Sequence, residues 1–201
     1  MTPTPTSSQG LPIRIGTFDT LAEALDYAAR GDTGVNFFGA GANLAGTLSY
    51  RDLRERACDL AARLAGAGFA RGSRMALIAE TTPDFFVFFY ACQYAGLVPV
   101  PLPINLNLGG HSSYVARLRG MLQSSHASAV MGSAELVAMI KEAAEGLDVR
   151  MVGTADDFRA LPFGNGGLQP LAAGELSYIQ YSSGSTTAPR GVLVSQRAIS
   201  A

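Results

Sequence analysis

Short apolar runs alternate with longer stretches of helical spacing along most of this 201-residue chain, and no other feature constrains its fold as strongly. Residues 75–79 are a short apolar run fit for a buried strand, and 98–102, 127–131 and 149–152 read as further strands. Helical patterns separate them, at about 83–96, 113–124 and 134–145. Strands that alternate with helices imply an α/β fold, with a parallel or mixed sheet and helices on both faces.

Local signals place the ends of these elements. Thr20 with Glu23 three residues on has capping-box spacing before a helix over 21–30, which Gly31 stops. Residues 35–38 and 47–50 read as the strands of a hairpin turning through the glycine-rich 39–46. Ser49 and Asp52 open a second helix whose Leu53, Ala57, Leu60, Ala61 and Leu64 share one face, with Gly66 and Gly68 at its end. Thr82-Pro83-Asp84 supplies a cap, a first-turn proline and a dipole-compatible acid. The helix after it is apolar nearly all round, so other elements must enclose it. Four units are expected: a disordered tail over 1–16, an α/β subdomain over 17–161, a Gly/Pro-rich loop over 162–174, and 175–201. The last comprises a strand, a polar loop, a second strand and the first turn of a helix.

Composition excludes several classes. A chain 48% hydrophobic and 15% charged is a folded body. Fifteen basic against sixteen acidic side chains leave no cationic excess for a nucleic acid or an anionic membrane. The longest apolar run, Phe85 to Cys92, is far short of the roughly 20 residues that span a bilayer. The opening MTPTPTSSQG has no basic leader or apolar segment, so a cytoplasmic protein with reduced cysteines is expected. Cys58 and Cys92 both fall in apolar helical patterns and read as small buried hydrophobes.

Chemistry concentrates in Ser182-Ser183-Gly184-Ser185-Thr186-Thr187-Ala188-Pro189-Arg190-Gly191. Five hydroxyls, two glycines and a guanidinium in ten residues suit a polyphosphate: glycines let backbone N–H groups turn inward, hydroxyls add donors, and the cation offsets charge. The segment is not a Walker loop, because G-x-x-x-x-G-K-[ST] is absent. Ser, Thr, Gly and Pro also make ordinary surface turns, and that reading stays open on composition.

The order [ST]-S-G-[ST]-T-x-x-P-[KR]-G between two strand patterns resembles the phosphate loop of the adenylate-forming superfamily, which includes acyl-CoA synthetases and nonribosomal adenylation domains. The likeness runs from about Thr17 to the end, through Thr20-Leu21, Leu48-Ser49-Tyr50-Arg51-Asp52-Leu53, Gly72 to Ala79, and YAGLVPVPL at Tyr94 to Leu102. PLPINLNLGGHSSYVARLRGML and Ile179-Gln180-Tyr181 look most like the fatty acyl-AMP ligase branch. This resemblance implies the amino-terminal part of a ligase that joins a fatty acid or other carboxylate to the α-phosphate of ATP, releasing pyrophosphate. The acyl group then passes to an acyl carrier protein or coenzyme A.

By position, Ser182, Ser183, Gly184, Ser185, Thr186 and Thr187 inherit the contacts to the β- and γ-phosphates. Arg190 stands where lysine is usual and keeps the charge. Thr187 stands where glycine is common, and Gln196 where histidine often stands. The superfamily's adenine pocket, Mg2+-binding glutamate, ribose-binding aspartate and carboxy-terminal lysine would all lie past Ala201. The resemblance therefore implies no catalytic residue and no metal ligand within this chain, which is expected to be inert alone. A noncatalytic module that keeps the scaffold and binds nucleotide or a protein partner is the alternative, and a plain structural α/β domain a third.

Other features read as structural. The G-x-G of Gly39 to Gly41 precedes a strand, not the helix of a dinucleotide loop. His111 and His126 lack metal-site spacing, Asp156-Asp157 reads as a solvated turn, and Lys141 as an i,i+4 partner of Glu145. The aromatic helix over 85–94 reads as core packing rather than an acyl tunnel.

Overall fold

The computed structural model describes residues 11, 12, 14, 18–104, 110–182 and 190–200. Its central sheet is parallel, in the order β4-β3-β5-β6, from β3 (Arg74–Ile78), β4 (Val98–Leu102), β5 (Ala127–Met131) and β6 (Met151–Gly153). Residues of α2 (Tyr50–Gly66) and α3 (Pro83–Ala95) pack with Met75, Leu77, Ala129 and Met131 on one face. On the other face, α4 (Gly110–Ser125) and α5 (Ala134–Ala144) pack with Ala76, Ile78, Val100 and Val130. Two antiparallel pairs flank this sheet: β1 (Gly34–Phe38) with β2 (Leu44–Ser49), and β7 (Leu176–Ser182) with β8 (Arg190–Ser195). The architecture is therefore α/β with a mixed set of sheets and helices on both faces.

The caps form where the residue types demand them. Ser49 Oγ accepts the Asp52 N–H at 3.0 Å, and Leu53, Ala57, Leu60, Ala61 and Leu64 all point into the core. Thr82 caps α3, Pro83 occupies its first turn, and Gly96 closes it in the left-handed region at φ 71°. Among the described residues, no helix is long and apolar enough to cross a membrane.

Several expectations need correction. Helix α1 (Leu21–Ala28) ends two residues early, and the Glu23 carboxylate reaches back to the Asp19 N–H at 3.0 Å rather than to Thr20, so only the Thr20 half of the capping box forms. Strand β2 begins at Leu44, since the Gly39 N–H already closes the turn onto the Asn43 carbonyl at 2.9 Å. Asp156 and Asp157 do not form a turn but open a short helix, α6 (Ala155–Arg159), with a capping box: Thr154 Oγ1 accepts from Asp157 N, and Asp157 Oδ2 accepts from Thr154 N at 2.8 Å. Glu145 is the C-cap of α5 with ψ 126°, which takes it off the helical row of Lys141, and among the described residues no ion pair joins the two.

Of the expected tail, Leu11, Pro12 and Arg14 are described and touch the end of α1, with the Tyr27 hydroxyl donating to the Pro12 carbonyl at 2.6 Å. Residues 1–10, 13 and 15–17 lie outside the described residues.

Residues 162–174 carry neither helix nor strand, yet they lie against the body. The Gly164 N–H donates to Ala62, and a Cβ on Gly66 would sit 2.6 Å from both Gly164 N and the Pro162 carbonyl oxygen. Alanine normally stabilises a helix by up to ~1 kcal/mol over glycine. At Gly66 that sign should reverse: urea denaturation of Gly66→Ala should show a loss of about 1–3 kcal/mol from overpacking against the loop.

Candidate functional site

The hydroxyl-rich segment joins β7 to β8. Their ladder pairs Ile179 with Leu193, Gln180 with Val192, Tyr181 with Gly191, and Ser182 with Arg190 as the last rung. Ser183, Gly184, Ser185, Thr186 and Thr187 lie outside the described residues. Among the predicted site residues, the structure therefore brings Ser182 and Arg190 face to face. Arg190 is exposed, and among the described residues it pairs with no carboxylate, so its guanidinium is available to an anion. Gly191, read above as a loop glycine, lies within β8 and is not at positive φ.

The hairpin is fixed to the body by polar groups whose role the sequence reading did not assign. The Gln93 amide nitrogen, fully buried on α3, donates to the Ser177 carbonyl at 2.8 Å. Gln196, at the start of α7 (Gln196–Ser200), is equally buried; its Nε2 donates to Gln93 Oε1 at 2.7 Å and its Oε1 accepts the Leu21 N–H at 3.0 Å. Two facing amides thus satisfy an orphan donor at the start of α1 and a strand carbonyl at once.

Arg71 serves the adjoining linker. It forms a two-point pair with Glu175 (2.9 and 2.5 Å) and donates to the carbonyls of Gln169 and Pro170, each at 2.8 Å. The side-chain bonds from Arg71, then the Ala172 N–H, hold the Glu175 carboxyl below its usual range.

The remaining candidates are structural. Cys92 is buried with its Sγ 3.6 Å from Met75 Sδ, and burial pushes its thiol pKa up, as it does for half-buried Cys58. His111 pairs with Glu142 at 2.7 Å, and His126 occupies the turn between α4 and β5 at φ 50°. Among the described residues, no group of three His, Cys, Asp or Glu side chains is placed to hold a metal. A cavity of about 400 Å3 opens at the carboxyl ends of β3, β5 and β6, between Glu80, Ser133 and Thr154. Ligands often bind α/β sheets at such a crevice. Here two of its carboxylates, Asp84 and Asp156, are already paired with Arg159.

The chain belongs to the AMP-binding enzyme family, whose profile matches residues 28–201. It is 38% identical over 199 residues to a putative acyl-CoA synthetase of Caulobacter vibrioides, covering 98% of this chain and 34% of that protein. It is 26% identical over 191 residues to a medium-chain-fatty-acid–[acyl-carrier-protein] ligase of Moorena producens, covering 90% of this chain and 31% of the relative. A solved structure of fatty acyl-adenylate ligases from E. coli and L. pneumophila superposes with a TM-score of 0.87 at 38% identity, over 94% of this chain and 34% of its own. The chain thus spans about a third of the length of these relatives.

Acid titration checks the Arg71–Glu175 lock. Because the folded carboxyl titrates below its unfolded value of ~4.3, the pair's stabilisation is complete above that pH and disappears as the pH falls through the lowered value. Glu175→Gln should remove this contribution at neutral pH and leave a flatter acid limb in an unfolding series from pH 7 downward.

Proposed function

We propose that this chain is the amino-terminal part of an ATP-dependent ligase, most like a fatty acyl-AMP ligase, that converts a fatty acid or related carboxylate to acyl-AMP and pyrophosphate. The acyl group then passes to an acyl carrier protein or to coenzyme A, in the cytoplasm. The observation that carries the reading is the pairing of Ser182 with Arg190, which brackets the hydroxyl-rich segment with an exposed arginine that forms no ion pair among the described residues. Family membership and the 38% identical fatty acyl-adenylate ligase structure support it.

In this reading Ser182, Ser183, Gly184, Ser185, Thr186 and Thr187 hold the β- and γ-phosphates through hydroxyls and backbone N–H groups, and Arg190 offsets their charge. Residues 17–161 form one α/β subdomain, 162–174 link it to 175–201, and the latter begins an incomplete unit. Mg2+, which in such a ligase screens the phosphates, would be held by groups outside this chain. The carboxylate, the adenine and the reacting α-phosphate likewise need surfaces beyond it, so the chain alone binds phosphate without turning over.

Two measurements test this. Titration with ATP or pyrophosphate should give saturable binding that Arg190→Ala weakens by about 1.5–3 kcal/mol, the value of a charge-assisted contact. Equal affinity in the variant counts against the guanidinium's role. Acyl-dependent exchange of labelled pyrophosphate into ATP should be absent from the isolated chain, and its detection would refute the predicted inactivity.

A further inference from the structure

We propose that Tyr181 is a positioning residue for the nucleotide phosphates, acting as a strut that ties the last rungs of the β7–β8 ladder to α4. The proposal rests on reading 182–191 as a phosphate loop. Tyr181 pairs with Gly191, one rung before the Ser182–Arg190 pair that opens the loop. Its hydroxyl donates to the Met121 carbonyl at 3.0 Å and lies 2.5 Å from Ser124 Oγ, both on the last turns of α4. The aromatic ring thus reaches from the hairpin to a helix of the body.

The glycine opposite is shaped by that ring. A Cβ on Gly191 would fall 3.3 Å from Tyr181 Cζ, 3.5 Å from its hydroxyl oxygen and 2.9 Å from Ile179 Cγ2. Glycine is needed at 191 because Tyr181 and Ile179 lie over the strand there, and not for a left-handed backbone, since its φ is not positive. This side chain therefore ties the last rungs of the β7–β8 ladder to α4, beside the apolar packing of Ile179 against the same helix. A hydrogen-bonded aromatic is suited to this: it is rigid, with few rotamers to immobilise, and its polar tip fixes the end.

Calorimetric titration of pyrophosphate into the 201-residue chain tests the assignment against two comparison variants. Tyr181→Phe keeps the ring and removes the anchor, and should weaken binding about fivefold, the equivalent of one net hydrogen bond. Gly191→Ala should weaken it in the same direction by displacing the ring. Tyr94→Phe is the control: that hydroxyl donates to the Ala22 carbonyl at 3.2 Å and to Asp26 at 2.7 Å, away from the hairpin. It should lower the unfolding temperature and leave pyrophosphate affinity unchanged.

Should Tyr181→Phe lose its native circular dichroism, Ser124→Ala replaces it with the same expected direction, because it removes the partner and leaves the tyrosine in place. Wild-type affinity in the folded Tyr181 or Ser124 variant, with Arg190→Ala still weakened, overturns the strut and leaves the phosphate reading standing. No binding by the wild-type chain overturns both.

Discussion

Burial of β3 on both faces is the condition on which the rest of this structure depends. Met75 and Leu77 face one helical layer, Ala76 and Ile78 the other, and all four are at most 1% exposed. A strand placed this way has no solvent face, so its register is over-determined: a slip of one residue would exchange the two sets of contacts. Its neighbours inherit that fixity through parallel ladders, in step from Arg74–Val98 to Ile78–Leu102 on one side and, after a register shift between Arg74 and Met75, from Met75–Ala129 to Leu77–Met131 on the other. The helices can then be nearly featureless in pattern, as α3 is, because they are enclosed rather than laid on a surface.

Against this frame the β7–β8 hairpin is held by a different kind of interaction. Ile179 brings apolar burial, but the specific ties are polar: Gln93 and Gln196 on the α3 side, Tyr181 on the α4 side, and Arg71 on the linker. Apolar packing alone tolerates small shifts in angle. Buried amides do not, because each lost partner leaves a desolvated donor or acceptor. In the function proposed above, a loop that meets polyphosphate with short hydrogen bonds requires that sort of fixity at its base.

The sequence was most readable where one local rule decides the outcome. The buried stripe of α2, the Thr82-Pro83 start and Gly96 stop of α3, and the parallel core followed from periodicity, capping and apolar runs. Reading failed where pairing or brevity overrode pattern. Leu44, Ala45 and Gly46 have little strand character of their own and are extended because β1 lies beside them. Helix α6 is five residues long, too short for periodicity, although the Thr154-x-x-Asp157 spacing was a usable signal. The hydroxyls and guanidinium of 182–190 stand out because those residue types are adjacent in sequence. Gln93, Ser124 and Tyr181 do not, because their roles exist only once segments 57 to 103 residues apart are brought together.

Gln196 shows how a departure from a family pattern can be absorbed. The position must present an acceptor to the Leu21 N–H and a donor to Gln93 Oε1, both in a site closed to water. A neutral imidazole also offers one donor and one acceptor, so the histidine often found there in the superfamily could meet the same demand in one tautomer. Protonation would convert its acceptor into a second donor aimed at an N–H group, in a buried site that already disfavours charge. A primary amide supplies the same pair of functions with no titration near neutrality. Glutamine therefore meets the hydrogen-bond demand of the junction with a group that does not titrate, and ties β7, through Gln93, to α1 and α3.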